Sequence, residues 1–224
     1  MANCIIHPIP LYATDGDKSR FTYGRNMGQP LTVVSYSWYI EGLKEKILVD
    51  AGGNVEYPVK VRGMQLHEIQ SLDSGLKRLG IDFQDIDLVI LTHLHYDHVS
   101  QGSRFANVRF IVQRDELEYA RNPHPLFTTA YHEEFFDGLN FEVISGDTKI
   151  CDEISVISSP GHSVGGQSVC IKTAQGTVVI SGLCSVQENF EPPAPVTLPV
   201  IVPGMHINLT QAYDSLLRIL HGTQ

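Results

Sequence analysis

A short apolar run that leads into a group of histidines is the feature that most constrains this chain. Residues 87–92 read DLVILT. A continuous apolar stretch of this length is typical of a strand that is buried on both faces of a sheet. Because the run leads directly into His93, the sequence predicts a functional site where this strand ends.

The residues after this strand carry side chains that divalent metals bind. His93, His95, Asp97 and His98 lie within six residues, and neutral imidazole and carboxylate are ligands that zinc prefers. Alternation in an extended segment points His93 and His95 the same way, and a tight turn at residues 97 and 98 brings the next two ligands to the same pocket. This spacing suits two metals about 3.5–4 Å apart. The alternative is a solvated histidine-rich loop in which metal binding is accidental.

A further histidine stands on a predicted turn later in the chain. His162 lies in residues 159–166, which read SPGHSVGG and follow a predicted strand. The glycines of this segment let the backbone approach a ligand closely. Alone, such a residue is more often a structural turn histidine. Beside the first cluster, it is predicted to be a third imidazole ligand.

The rest of the chain predicts strands and helices that suit two stacked sheets. Residues 31–40 and 47–50 are predicted as a hairpin, 51–63 as a surface loop, and 67–79 as a helix followed by Gly80. Further strands are predicted at 108–112, 141–144, 154–158, 167–172 and 177–180, and helices at 114–121 and 209–220. Since no linker separates two halves, we predict one domain over residues 1–224, with a two-layer sheet core flanked by helices.

Charge and cysteine usage exclude several classes of protein. The 224 residues include 16 Lys and Arg against 25 Asp and Glu, a formal net charge of -9. This balance gives no general attraction to nucleic acid or to an anionic membrane surface. No apolar run approaches the ~18 residues that span a bilayer, and no charged leader with a long apolar stretch begins at Met1. The cysteines form no C-x-x-C pair, which predicts buried thiols in a cytoplasmic protein: Cys4, Cys151, Cys170 and Cys184.

Three segments together resemble the metallo-β-lactamase superfamily. They are, in the family's order, Asp50-Ala51-Gly52, His93-x-His95-x-Asp97-His98 and Pro160-Gly161-His162-Ser163. The stretch from Gly53 to His67, the residues Glu188-Asn189-Phe190 and the helix from Leu209 look most like the N-acyl-homoserine lactonase branch. The resemblance implies an α/β (α+β) fold, the four-layer αββα sandwich, with a metal site at one edge of the two sheets. The chain stops soon after its last predicted helix, so the family's final strand is expected to be missing.

The resemblance also implies roles for the site residues. His93, His95 and His162 would hold one metal, and Asp97 and His98 would begin a second site. Zinc is the expected cofactor, with iron or manganese as alternatives. A bridging water would have its pKa lowered toward neutrality and attack a carbonyl that the metals polarise. Asp97 would orient that water or accept its proton, and Asp50 would position a ligand or the turn without binding metal.

Two departures from the family pattern affect the second metal. The family carries a bridging aspartate after the strand that matches 177–180, but residues 181–185 read SGLCS and include no carboxylate. Cys184 is the ligand-type residue in that place, either as a zinc-binding thiolate or as a buried thiol. A tyrosine with which such lactonases bind the substrate carbonyl is matched here by Val186.

The family's last histidine ligand has two candidate counterparts in this chain. His206 precedes the final helix in the sequence PGMH, and His221 stands at the end of that helix. His206 is a candidate ligand or pocket residue. His221 is a candidate terminal ligand, or else a histidine that is favourably placed at a helix C-terminus. A third interpretation is that neither residue binds metal.

These features predict a metal-dependent hydrolase that uses a metal-bound hydroxide to open a lactone or cleave a small ester. One alternative is a thioesterase similar to hydroxyacylglutathione hydrolase. Another, suggested by the missing aspartate, is a catalytically weak metal-binding member of the fold with a binding or regulatory role. A redox role is disfavoured because the related di-iron proteins carry a glutamate where this chain has His95. The expected partner is a small-molecule substrate, and six aromatic residues are candidates to line its pocket: Phe21, Tyr23, Tyr36, Trp38, Phe127 and Tyr131.

Overall fold

The computed structural model describes residues 4–222. The strands are β1 (Ile5–Asp17), β2 (Pro30–Glu41), β3 (Ile47–Val49), β4 (Leu66–Glu68), β5 (Leu88–Ile90), β6 (Arg109–Gln113), β7 (Phe141–Ile144), β8 (Thr148–Lys149), β9 (Ile154–Ser158), β10 (Gln167–Thr173) and β11 (Gly176–Ile180). The α-helices are α1 (Glu56–Arg62), α2 (Leu72–Arg78), α3 (Tyr96–Val99), α4 (Arg114–Arg121), α5 (Gln187–Phe190) and α6 (Leu209–Gly222).

The strands form two sheets. The larger has the order β4-β1-β2-β3-β5-β6-β7, and the smaller has the order β11-β10-β9-β8. Pairing is antiparallel from β4 through β3 and parallel from β3 through β7, whereas the smaller sheet is antiparallel throughout. The predicted two-layer sheet core is therefore confirmed.

Alternate residues of the central strands build two separate apolar layers. Val49 and Ile90 join a core with Val156 and Val169 of the smaller sheet. Their neighbours on the opposite face pack against helices α2 and α4 instead, in a cluster that includes Leu48, Val89, Leu76 and Leu117. Helix α6 lies against the other side of the smaller sheet, where Ala212, Leu216 and Ile219 pack near Val179. This helix–sheet–sheet–helix order is the predicted αββα sandwich.

The segment predicted as a loop over 51–63 contains helix α1, so that prediction was wrong. Asn54 Oδ1 accepts a hydrogen bond from Tyr57 N over 2.9 Å at the start of the helix. Pro58 lies in the first turn, where the helix needs no N–H from it. Gly63 ends the helix with a φ of 62°. Burial of Tyr57 and Pro58 holds this helix against the rest of the protein.

The helix predicted at 67–79 is shorter than expected. It begins at Leu72, after Ser71 Oγ accepts a hydrogen bond from Ser74 N over 3.2 Å. The preceding residues form β4, an edge strand that pairs with β1. Gly80 follows the helix with a φ of 72°, in agreement with the predicted glycine stop.

Strand β1 was not predicted, because Pro8 and Pro10 interrupt its pattern. Proline lacks the N–H of a paired strand and is confined to sheet edges. Strand β4 pairs with β1 only over Tyr12–Thr14. Both prolines therefore lie in a part of β1 that is not paired with β4 or with any other described strand on that edge. On its opposite edge, β1 pairs with β2 along its whole length.

The last helix is confirmed, and no strand follows it within residues 4–222. The predictions that concern Met1 and the final residues Thr223 and Gln224 lie outside the described residues. In the part of the chain that the structure describes, none of the helices has both the length and the apolar character that crossing a membrane requires.

Candidate metal centre

Three imidazoles converge at one edge of the two sheets. The ligand atoms of His93, His95 and His162 all lie within 4.8 Å of one another. His93 and His95 are 2% and 8% exposed, and Nε2 of each is buried without a hydrogen-bond partner among the described residues. Buried polar atoms are normally satisfied, so two such nitrogens beside a third imidazole fit a bound cation.

The strand that precedes the cluster fixes the first two histidines. Gln167 of the smaller sheet donates from Nε2 to the Leu91 carbonyl over 2.8 Å and from its backbone N to the Thr92 carbonyl over 2.9 Å. Leu94, between the two histidines, is fully buried. Because its side chain points into the core, the flanking imidazoles point out of it, as the predicted alternation requires.

His162 reaches the same place from the turn after β9. A Cβ placed on Gly161, whose φ is 132°, would lie 2.3 Å from Ala212 N of helix α6, so only glycine fits this contact. His162 Nδ1 donates to the Met205 carbonyl over 2.8 Å. Since a carbonyl oxygen only accepts, the proton is on Nδ1 and the Nε2 lone pair is left for a metal.

The surroundings keep these three imidazoles neutral. Burial lowers the pKa of His93 and His95 well below the usual histidine value, and the neighbouring imidazoles lower it further. Burial also lowers the pKa of His162. Neutral imidazole is the form that binds metal, so the site is ready for a cation without first losing protons.

Asp50 connects the first histidine segment to the larger sheet. Its carboxylate accepts hydrogen bonds from Thr92 N over 2.7 Å, from Thr92 Oγ1 over 3.0 Å and from His98 Nδ1 over 2.7 Å. Thr92 Oγ1 also lies 3.0 Å from His93 Nδ1. Asp50 is 2% exposed and has a φ of 61°, a left-handed conformation that aspartate tolerates better than most residues. It therefore contacts His98 directly and His93 through Thr92, and its role as a positioning residue stays a prediction.

Asp97 and His98 lie beside the three imidazoles as a charged pair. His98 Nε2 lies 3.4 Å from Asp97 Oδ2. Burial lowers the pKa of His98, but the carboxylates of Asp50 and Asp97 outweigh that effect and hold it well above its usual value. Burial acts to raise the pKa of Asp97, but His98 holds it below its usual range. The structure thus places the four residues predicted from the first motif together.

The remaining metal-ligand candidates differ in where they lie. Cys184 and His206 line the same cavity as the three imidazoles. Desolvation in that cavity raises the pKa of the Cys184 thiol to about 12, with Asp97 adding to the shift. His206 donates from Nδ1 to the Pro203 carbonyl over 2.7 Å. His221 lines a different groove, between α6 and strands β8 and β9, so the structure does not bring it to the site.

Position 182, two residues before Cys184, has no room for a side chain, because the backbone is packed tightly there. A Cβ placed on Gly182 would lie 2.0 Å from the Gln167 carbonyl oxygen. Gly182 N also donates to Ser168 Oγ over 3.0 Å. The loop after β11 is thus pressed against β10 at the point where the sequence departs from the family pattern.

A cavity of about 660 Å³ opens over the imidazoles. Of the six aromatic candidates, Phe21, Tyr36, Trp38 and Phe127 line it, with aliphatic residues of β2 and β11. Tyr23 and Tyr131 are not among the lining residues, so that part of the prediction was wrong. The Tyr131 ring instead supports His95 from behind, edge to face, with ring centroids 4.6 Å apart.

Comparison with protein families identifies the class to which this fold and site belong. Residues 31–220 match the model of the metallo-beta-lactamase superfamily. The chain therefore belongs to this superfamily, and it is a metal-dependent hydrolase.

Similar proteins narrow the assignment to the predicted lactonase branch. The chain is 31% identical over 194 residues to an N-acyl homoserine lactonase of Bacillus thuringiensis, covering 80% of this chain and 75% of the relative. It is 33% identical over 197 residues to an N-acyl homoserine lactonase of Bacillus cereus, with the same coverage. The family and branch inferred from the motifs are confirmed.

Solved structures agree with this assignment. An N-acyl homoserine lactone hydrolase with N-hexanoyl-L-homoserine bound at its catalytic metal centre matches with a TM-score of 0.80 and 26% identity, over 98% of this chain and 88% of the other. A variant of the B. thuringiensis lactonase AiiA with N-decanoyl-L-homoserine at the active site matches with the same TM-score, identity and coverage.

Proposed function

We propose that this chain opens the ring of a lactone of the N-acyl-homoserine type, or cleaves a small ester of similar shape. The observation that carries the proposal is the convergence of His93, His95 and His162 beneath an apolar-walled cavity. His93 and His95 are buried, His162 is half-buried, and all three imidazoles are held neutral. Similarity to N-acyl homoserine lactonases supports the substrate class. We also propose that residues 1–224 form a single domain.

The three histidines would hold a divalent metal, for which we propose zinc. Such a metal supplies Lewis acidity, which activates water and polarises a carbonyl oxygen. Three protein ligands with one open position are the usual arrangement of a catalytic zinc site. Asp97 and His98 would be the first two ligands of a second site, and Cys184 and His206 are the candidates to complete it.

The chain's own residues would orient the reactants. Asp97 lies in the cavity wall with a pKa held below its usual range, so its carboxylate stays ionised and would accept a hydrogen bond from the attacking water. It would take the proton of that water as the ring carbonyl is attacked and return it to the ring oxygen as the C–O bond of the lactone breaks. Trp38, Phe127 and Val179 would exclude water and pack against an acyl chain.

The test is a comparison of hydrolysis rates on matched substrates. We expect the metal-loaded protein to hydrolyse N-hexanoyl and N-decanoyl homoserine lactone, with the lower KM for the longer chain because more apolar surface is buried. An open-chain ester and a thioester with the same acyl group serve as controls, and a sample stripped with a chelator should hydrolyse none of them. Faster turnover of the thioester would favour a thioesterase.

A second candidate function is favoured by residues 181–185, which offer no carboxylate. It is a metal-binding member of the fold with weak catalysis and a binding or regulatory role. Under this alternative the protein retains its metal, but no substrate in the panel turns over faster than in the chelated sample. A cytoplasmic location stays a prediction, supported by four free cysteines.

A further inference from the structure

We propose that Glu116 is a positioning residue, which holds the two histidine-bearing loops at the separation that the metal requires. The inference rests on the proposed function in one respect, namely that His93, His95 and His162 bind a metal. Glu116 belongs to α4, outside both loops, and its side chain is fully buried. It was not singled out from the sequence, where a glutamate in the first turn of a helix indicates only a favourable charge at the helix N-terminus.

The carboxylate of Glu116 joins the two loops through their backbones. Oε1 accepts a hydrogen bond from Leu94 N over 3.0 Å, and Leu94 lies between His93 and His95. Oε2 accepts from Gly165 N over 2.9 Å, three residues after His162. One side chain thus links the loop after β5 to the loop after β9. Because Glu116 fixes the positions of these two backbone amides, it would limit how far apart the imidazoles of the two loops can lie.

Tyr131 extends the same arrangement to an imidazole ring. Its hydroxyl donates to Glu116 Oε1 over 3.1 Å. Its ring packs edge to face on His95, with centroids 4.6 Å apart. Glu116 is therefore linked to His95 in two ways. It accepts a hydrogen bond from the backbone N–H of Leu94, the preceding residue, and from the hydroxyl of Tyr131, whose ring packs on the imidazole.

Close packing shows that the second loop is fitted to the backbone of α4 at residue 116. A Cβ placed on Gly165 would lie 2.2 Å from the backbone N of Glu116. Any side chain at position 165 would push the loop away from α4, and His162 with it. The close approach of Gly165 to α4 and the hydrogen bond from Gly165 N to Glu116 Oε2 are two independent observations that this loop packs against α4.

A carboxylate is the group that satisfies this environment. Two N–H groups and one O–H group point at it, and its two oxygens accept all three. Glutamine has the same shape but only one acceptor oxygen. Its NH₂ group must then face either Gly165 N–H or the pair of Leu94 N–H and Tyr131 O–H, so one loop loses its attachment.

The experiment is a metal-affinity measurement on the full chain with Glu116→Gln. The purified, metal-stripped protein is titrated with Zn²⁺ and with Co²⁺ in competition with a chromophoric chelator, and the visible spectrum of the Co²⁺ form is recorded. We expect the affinity to fall ~10–100-fold, as for other partners that orient metal ligands, and the spectrum to change. The control is Glu118→Gln, the same charge change at an exposed position of α4, which should match the unaltered protein.

The outcomes separate this inference from the proposed function. If Glu116→Gln binds metal with unchanged affinity and its Co²⁺ form has an unchanged spectrum, the positioning role of Glu116 is overturned. This holds even if the variant unfolds more easily, because Glu116 would then stabilise the fold alone. Absence of metal binding by the unaltered chain would overturn both. If Glu116→Gln does not fold, Tyr131→Phe decides, since it removes only the hydroxyl donor. An affinity loss of about fivefold, equivalent to one hydrogen bond, would support the inference, and no loss would overturn it.

Discussion

Replacing His95 with alanine is expected to remove metal binding and, with it, lactone hydrolysis. Two imidazoles hold a divalent metal far more weakly than three, so the affinity should fall by more than the ~100-fold expected for the loss of an orienting partner. The folded state should suffer little, because His95 Nε2 is buried without a partner and its removal leaves no donor or acceptor unsatisfied there. Metal content after dialysis, the hydrolysis rate and urea unfolding of the metal-free protein measure the three quantities.

His67→Ala is the matched control for this experiment. His67 is an exposed histidine on β4, away from the cavity. The His67→Ala substitution should leave metal content and activity unchanged. A His95→Ala variant that hydrolyses lactone as fast as the unaltered protein would contradict the proposed mechanism. A variant that loses activity but retains the metal would show that His95 acts on the substrate instead.

Replacing Asp50 with asparagine is expected to have the largest effect on stability. Removing the charge from one partner of a buried ionic contact typically costs about 3–5 kcal/mol. The asparagine would keep the shape but bring an NH₂ group against Thr92 N–H, Thr92 Oγ1 or His98 Nδ1. Loss of the Asp50 contact would also free His98 and the threonine beside His93, so metal affinity should fall with stability.

Asp15→Asn provides a matched control for the Asp50 variant. Asp15 also accepts a hydrogen bond from a threonine, Thr32, and lies 3.4 Å from a histidine, His67. Its side chain is 67% exposed, and surface ion pairs contribute little to stability because solvent screens them. Urea unfolding of metal-free protein should show a much larger loss of stability for Asp50→Asn than for Asp15→Asn. Equal losses would contradict the role assigned to the buried contact.

The parts of the fold that the sequence predicts are those where local pattern and packing agree. In the strand of residues 88–90, the side chains on both faces are apolar, and all of them are buried. Helix α4 runs over Arg114–Arg121, the predicted range, because its apolar residues Leu117 and Ala120 face the sheet. His93, His95 and His162 converge as expected, since each follows a strand that ends at the same edge.

The parts that the sequence does not predict depend on partners that are distant in the chain. Strand β1 exists because β2 pairs with it along its whole length, which outweighs Pro8 and Pro10. Glu116 is buried because Leu94, Tyr131 and Gly165 surround it, and these three residues come from separate segments. No local pattern marks such a residue, whereas a histidine cluster after an apolar strand is visible in a single sequence.

Binding of a divalent metal by His93, His95 and His162 together is the basis of the proposed function. Anomalous diffraction at the zinc edge, from crystals of the full chain loaded with zinc, tests it most directly because the position, number and ligands of the metals are seen together. We expect an anomalous peak enclosed by these three imidazoles, and any second peak should lie beside Asp97 and His98. The absence of a peak between the three imidazoles, or zinc bound only elsewhere, would contradict it.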